Sequence, residues 1–164
     1  MIIEKRNLHR MNNIGYTKNK IRNIIITSNN IDINKTQNCD YYIKYLKNKL
    51  INNQNEIEFN YFITRIGRVV KIKSDFEYVY ITNNHDINLG SIGICIEEND
   101  NKCSNECKEA LEKLCFKLCR LHKMYVENIY LRKEIDNKLL PKTYVYDKLE
   151  YTKLKNNINK LLKN

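Results

Sequence analysis

Apolar side chains return along this chain in two rhythms, every second residue in some stretches and every third or fourth in others. Residues 22–27 (Arg-Asn-Ile-Ile-Ile-Thr) form a short β-branched run of the kind that builds a strand buried on both faces, and are expected to be the first central strand. From Thr36 to Leu50, Cys39, Tyr42, Ile43, Leu46 and Leu50 recur at helical spacing with Lys44, Lys47 and Lys49 opposite, which predicts a helix capped by Thr36 or Asn38. Residues 57–66 alternate and are rich in aromatics, Gly67 supplies a turn, and 68–73 continue in extended form, so this stretch predicts a hairpin. Residues 76–82 read as a further short extended piece. Ser91 to Glu97 is a strong strand, and Gly93 in its middle implies close packing against a neighbour.

A long helix is predicted from Asn105 to Met124, with Ala110, Leu111, Leu114, Leu118 and Leu121 on its inner face. Asn128 to Leu131 reads as the last strand and Pro141 marks a loop. Residues 147–162 read as a basic amphipathic helix with Leu154, Ile158, Leu161 and Leu162 in register. Strands interleaved with helices predict an α/β fold, a mixed central sheet flanked by helices, with no repeat or linker dividing residues 1–164.

Composition narrows this. A chain of 164 residues, 42% hydrophobic and 29% charged, is the size of one globular domain and lies far from the disordered class. The longest aliphatic run is Ile24-Ile25-Ile26, so no transmembrane helix is expected. The N-terminal residues lack the apolar stretch of a secretory signal, which sets a cytoplasmic location as the expectation. Six cysteines are accordingly read as reduced thiols. Net charge is +10, but Asn, Lys and Ile, the residues of A/T-rich codons, dominate the composition, so the charge is a weak pointer to acidic partners such as nucleic acid, teichoic acid or anionic lipid.

Chemistry-bearing residues are scattered. Cys103/Cys107 and Cys115/Cys119 are two i, i+4 pairs, yet Cys107 and Cys115 stand about 12 Å apart along a continuous helix, too far to share one ion. Their alternative is burial as small core residues. His9, His85 and His122 have no second ligand at helical or strand spacing and read as surface or loop histidines, although a hydrolase built on His85 with a distant Ser or Cys stays open. Tyr41, Tyr42 and Tyr45 among lysines, and Tyr144 with Tyr146, read as a buried aromatic stripe or as a platform for bases or sugars. The helix over 147–162 either packs on the sheet or lies on an anionic surface.

Four stretches, Met1-Ile-Ile-Glu-Lys-Arg-Asn-Leu8, the strand at 24–27, Ile57-Glu-Phe-Asn-Tyr-Phe-Ile63 with Gly67, and Ser91-Ile-Gly-Ile-Cys-Ile96, together resemble the type 2 N-acetylmuramoyl-L-alanine amidases, in their clostridial and phage endolysin branch, which share a fold with peptidoglycan recognition proteins. The resemblance runs from residue 1 to about 149 and continues through Ile129 to Pro141, which lines up without gaps against the family's Tyr-Gly-His-Lys-Glu-Leu and Cys-Pro-Gly.

What the resemblance implies is a zinc hydrolase in which two His and one Cys leave a fourth position for the attacking water. The matching positions here are Thr27 (followed by Ser28), Arg132 and Leu140, none able to hold Zn²⁺ in combination. The family's active-site Tyr falls on Phe59, the Gly of Cys-Pro-Gly on Lys142, and a Lys carried by some members matches Lys138. The expectation is therefore a catalytically degenerate amidase, derived from a prophage or other endolysin gene, with no catalytic residues, no metal and no cofactor. It would act by binding, with holin-dependent release as its route to the wall and with peptidoglycan or a muramyl peptide in a groove at Ser28, Phe59, Asn60, His85, Asn88 and Lys138. Two alternatives remain at this point: a cytosolic module that binds protein or nucleic acid, and residual amide hydrolysis through a displaced site.

Overall fold

The computed structural model describes residues 3–5, 20–29, 44, 57–97, 103–136 and 148–164. Its centre is the β-branched run foreseen at 22–27. This becomes β2 (Asn23–Asn29), in which Ile24, Ile25 and Ile26 are all buried because both sheet faces are covered. The other strands are β1 (Ile3–Lys5), β3 (Tyr61–Ile63), β4 (Val69–Lys71), β5 (Ser91–Glu97) and β6 (Ile129–Leu131). They form one six-stranded sheet in the order β1-β4-β3-β5-β2-β6. Among the described residues only the β3–β4 hairpin is antiparallel; β1 with β4, β3 with β5, and β2 with both β5 and β6 are parallel. The fold is thus the mixed α/β sheet that the sequence predicts.

Alternation sorts side chains to two cores. Ile24, Ile26, Tyr61, Ile63, Val69, Ile92, Ile94, Ile96, Ile129 and Leu131 face the helix α2 (Asn105–His122) and the helix α4 (Lys148–Lys163). Ile25, Phe62, Val70 and Cys95 face the other way, under Phe59, Ile72, Val79 and Ile81. Two single-turn helices, α1 (His85–Asn88) and α3 (Arg132–Ile135), border this second face and contribute Ile87 and Ile135 to it.

Local chemistry explains the boundaries. Gly67 turns the hairpin with φ +78, and its N–H donates to Thr64 O at 2.9 Å. Ser104 caps α2, accepting from Cys107 N–H at 3.1 Å, and its hydroxyl donates to Arg65 O, tying the helix start to the hairpin turn. At the other end Lys123 adopts the left-handed conformation, φ 53, and stops the helix. Leu121, expected inside, is 64% exposed: it lies in the last turn of the helix, and Met124 enters the core after the cap. The stretch 76–82 forms no regular strand either, only an isolated bridge at Glu77.

Packing settles the C-terminal helix in favour of the sheet. Tyr151, Leu154 and Ile158 of α4 join the α2-side core, and the Tyr151 hydroxyl donates to Ile129 O. Leu161, however, is exposed. Cys95, Cys107, Cys115 and Cys119 are buried free thiols, while Cys103 is half-buried. Among the described residues no helix is long and apolar enough to cross a membrane. Apart from Lys44, the helix expected over 36–50 and its tyrosines lie outside the described residues, as do His9, Leu140, Lys142 and Lys138.

Candidate functional site

In a sheet of parallel strands the carboxyl ends gather loops and leave side chains free to meet a ligand. Here Ile26 pairs in register with Leu131, so the next residues, Thr27 on β2 and Arg132 at the start of α3, stand side by side at that end. Thr27 also pairs with Cys95, and Cys95 with Phe62, which places Thr27 in the row that faces the second core. The two positions matched to metal-binding histidines are thus neighbours on one edge of one face.

Arg132 is held by two carboxylates. Its Nη1 donates to Glu58 Oε2 at 2.7 Å and its Nε to Asp136 Oδ2 at 3.2 Å. Asp136 is buried, and its other oxygen accepts from Asn83 N–H at 2.8 Å. A guanidinium presents only donors and has no lone pair for a cation, and Thr27 offers one neutral hydroxyl. Among the described residues no three His, Cys, Asp or Glu side chains converge as a ligand set. Among the described residues, Thr27 and Arg132 do not make a pair of zinc ligands.

The wall beside this edge is built from asparagines. Asn60 is wholly buried and spends its whole amide: Oδ1 accepts from Gly93 N–H at 2.9 Å, while Nδ2 donates to Ser74 O at 2.6 Å and Glu77 O at 3.2 Å. Its backbone adds a bond from its N–H to Gly93 O at 2.8 Å. The close approach inferred at Gly93 is to this segment: a Cβ there would stand 3.0 Å from Phe59 Cα and 3.1 Å from Glu58 O. Asn88, also buried, accepts from Thr82 N–H and hydroxyl at 3.0 and 2.8 Å and donates to Thr82 O at 2.8 Å. Asn84 caps α1 by accepting from Ile87 N–H at 3.1 Å.

The groove set named from sequence is therefore not one surface. His85 is exposed, its Nδ1 2.8 Å from the Tyr78 hydroxyl. Phe59 is buried, with its ring 6.1 Å from that of Phe62. Asn60 and Asn88 brace the wall from inside because every polar atom of their amides is engaged within the protein. Ser28 pairs with Ile96 and so faces the helix layer, opposite to Thr27, with its hydroxyl oxygen buried and without a hydrogen-bond partner. Sequence reasoning missed Glu58, Asn83 and Asp136. The i, i+4 spacing of Arg132 and Asp136 was a usable signal for one of them; nothing local pointed to Glu58.

His122 also departs from its reading as a surface histidine. Its side chain is 10% exposed and its Nε2 donates to Asp75 Oδ2 at 2.8 Å, while Asp75 Oδ1 accepts from the Tyr61 hydroxyl at 2.5 Å and from Lys71 Nζ at 2.7 Å. Burial acts to raise the Asp75 pKa, but the hydrogen bonds from Lys71, Tyr61 and His122 prevail and hold it below the usual carboxylate range. Burial, aided by Asp75, raises the Tyr61 phenol well above its ordinary value. This cluster lies between the hairpin and the end of α2, on the helix side of the sheet.

Known proteins bear on this arrangement in two ways. Residues 17–139 match the family described as N-acetylmuramoyl-L-alanine amidase. No curated protein matches the chain. Among solved structures, a mutant endolysin from Bacillus subtilis superposes with a TM-score of 0.72 at 18% identity, over 96% of this chain and 98% of that one. The endolysin N-acetylmuramoyl-L-alanine amidase LysCS of Clostridium intestinale URNW gives 0.71 at 15% identity, covering 96% and 95%. The Drosophila peptidoglycan recognition protein SD gives 0.64 at 16%, covering 84% and 86%. At these identities the structural likeness speaks for the fold alone.

Proposed function

The chain belongs to the N-acetylmuramoyl-L-alanine amidase family, and from that membership we propose that it is a zinc-free, non-hydrolytic member that binds peptidoglycan or a muramyl peptide. The observation that carries this reading is the occupancy of the second ligand position by Arg132, locked between Glu58 and Asp136 beside Thr27. A fixed cation there opposes a divalent ion, and neither side chain can activate a water as a metal would. Binding is a separate capacity, since recognition by cleft walls does not need the metal. The fold it shares with a peptidoglycan recognition protein supports the same ligand class.

The test pairs binding with chemistry. Purified protein is expected to sediment with insoluble peptidoglycan and to give a calorimetric isotherm with a muramyl peptide, while releasing no new amino groups and taking up no stoichiometric zinc. Zinc at one equivalent per chain with chelator-sensitive cleavage would overturn the loss of catalysis. Failure to bind wall or peptide at low salt would remove peptidoglycan as the ligand.

A further inference from the structure

The two cysteine pairs at α2 have the same spacing on different backbones. Cys115 and Cys119 both lie inside the helix, where side chains four residues apart keep their Cβ atoms about 5–6 Å from one another. A disulfide needs about 3.5–4.5 Å, so a regular helix holds these two thiols apart. Cys103 stands before the helix instead. Ser104, between it and the first turn, is extended with φ −65 and ψ 160, and Cys107 is the third residue of α2. The reach from Cys103 to Cys107 is therefore not tied to helical separation.

Local contacts bring the first pair together. Cys103 is half-buried and packs against the helix-side core to which Cys107 belongs, and its thiol lies 3.6 Å from Ser104 O. The Ser104 hydroxyl accepts from Cys107 N–H at 3.1 Å and donates to Arg65 O, so one residue fixes the turn between the cysteines and anchors it to the hairpin. Cys107 is fully buried. Its side chain is hydrogen-bonded to Cys103, and that bond is the largest cause that raises the Cys107 thiol well above its ordinary pKa, with burial next. The pair is thus asymmetric, one residue open to small solutes and the other closed to them but in contact with the first. Position adds reactivity, since the thiolate is the reactive form of cysteine and the start of a helix is where negative charge on sulfur is stabilised.

We propose that Cys103 and Cys107 are a site of reversible oxidation, at which a hydroperoxide converts the two thiols to a disulfide across the start of α2. The Cys103 thiolate attacks one peroxide oxygen and the O–O bond breaks. Hydroxide or alkoxide departs with the bonding pair and takes up the proton that Cys103 released, and Cys103 is left as a sulfenic acid. The Cys107 sulfur attacks that sulfur, the S–O bond breaks, and the departing hydroxide takes the Cys107 proton to become water. The two thiols together lose two electrons and two protons, and the peroxide ends as water and a second water or an alcohol. An external thiol reverses the step by exchange. The new bond spans Ser104, so oxidation pins the cap that joins α2 to the hairpin.

The probe is hydrogen peroxide, added to the full chain after reduction and removal of the reductant. After alkylation with iodoacetamide in denaturant, trypsin releases residues 103–108 as one peptide carrying both cysteines, and it separates Cys115 from Cys119 on peptides 114–117 and 118–120. The 103–108 peptide is expected to escape alkylation, to be lighter by two hydrogens, and to return to its doubly alkylated form after dithiothreitol. Cys115 and Cys119 should stay alkylated throughout. Cys107→Ala should leave Cys103 as a sulfenic acid that dimedone traps. Cys103→Ser, a change at a half-buried residue, should slow the oxidation of Cys107 about tenfold or more, as its burial requires. Full alkylation of the 103–108 peptide at a dose that oxidises free cysteine, sulfinic acid on wild-type Cys103 without a disulfide, or a Cys115–Cys119 link in equal yield would each overturn the proposal. So would Cys103 joined to Cys95 or to a second copy of the chain.

Discussion

The imidazole of His122 donates to the carboxylate of Asp75 across 2.8 Å, and this contact joins the end of α2 to the loop that follows the β3–β4 hairpin. Because Asp75 also accepts from Tyr61 and Lys71, one carboxylate fastens three elements. Its depressed pKa means that the unfolded chain binds the proton more readily than the native one. The stabilisation is therefore complete above the ordinary carboxylate pKa of about 4 and is lost as pH falls through the lower native value. Urea unfolding followed by circular dichroism should show stability declining in that acid window, and Asp75→Asn should flatten the decline. Tyr61→Phe should cost about 1.5–3 kcal/mol at neutral pH, the worth of a hydrogen bond to a charged group.

Removing Arg132 leaves a buried acid behind. Asp136 has a side chain 2% exposed and would keep only its bond from Asn83 N–H. Arg132→Ala is expected to destabilise by about 3 kcal/mol in denaturant titration, as breaking one side of a buried pair does. Arg132→Lys should recover part of this, since it restores the charge but not the two-armed geometry that spans Glu58 and Asp136. Equal stability of Arg132→Ala and wild type would show that the guanidinium is not a structural tie.

Gly93 has no room for a methyl group. The obstacles are backbone atoms of Phe59 and Glu58, which cannot rotate aside as a side chain can. Gly93→Ala should cost about 1–3 kcal/mol by overpacking and shift the 57–60 segment. Since that segment carries Glu58, the variant should also weaken muramyl-peptide binding, read by the same calorimetry.

Thiol reactivity should follow burial. Burial pushes the Cys119 thiol up to about 11 and Cys115 well above its normal value, so both stay protonated near pH 8. A short pulse of iodoacetamide on the native protein, read by peptide mass spectrometry, is expected to label Cys103 ahead of Cys95, Cys107, Cys115 and Cys119. Those four should become reactive only through the urea transition. Early labelling of Cys115 would contradict the packing of α2 on the sheet.

Legibility differed by element for physical reasons. β2, β5 and α2 stood out because their apolar positions repeat with the period of the structure they form, and the sheet that surrounds them rewards that pattern. Leu121 fitted the helical period as well as Leu118 did, but it sits in the last turn of α2, where it stays exposed and Met124 beyond the left-handed Lys123 enters the core instead. Residues 76–82 are rich in aromatic and β-branched side chains like a strand, yet the buried amide of Asn60 takes the carbonyls of Ser74 and Glu77 and ties the stretch as a loop. In the candidate site, the resemblance singled out Thr27 and Arg132, and the pairing of Ile26 with Leu131 is what sets these two positions at the same end of neighbouring strands. The carboxylates around Arg132 were hidden because Glu58 is 74 positions away in the chain, a separation that no local periodicity encodes. His122 was misread for the same reason: its partner lies 47 positions upstream.

The place of α4 in the helix-side core has a consequence for biogenesis. Ile24 and Ile26 are translated more than a hundred residues before Tyr151, Leu154 and Ile158, which share their core. Pairing of β2 must likewise wait for β5 and β6. A nascent polypeptide thus carries sticky aliphatic surface from the emergence of β2 until α4 follows it, and its folding yield in the cell should depend on chaperones that shield that surface over this interval.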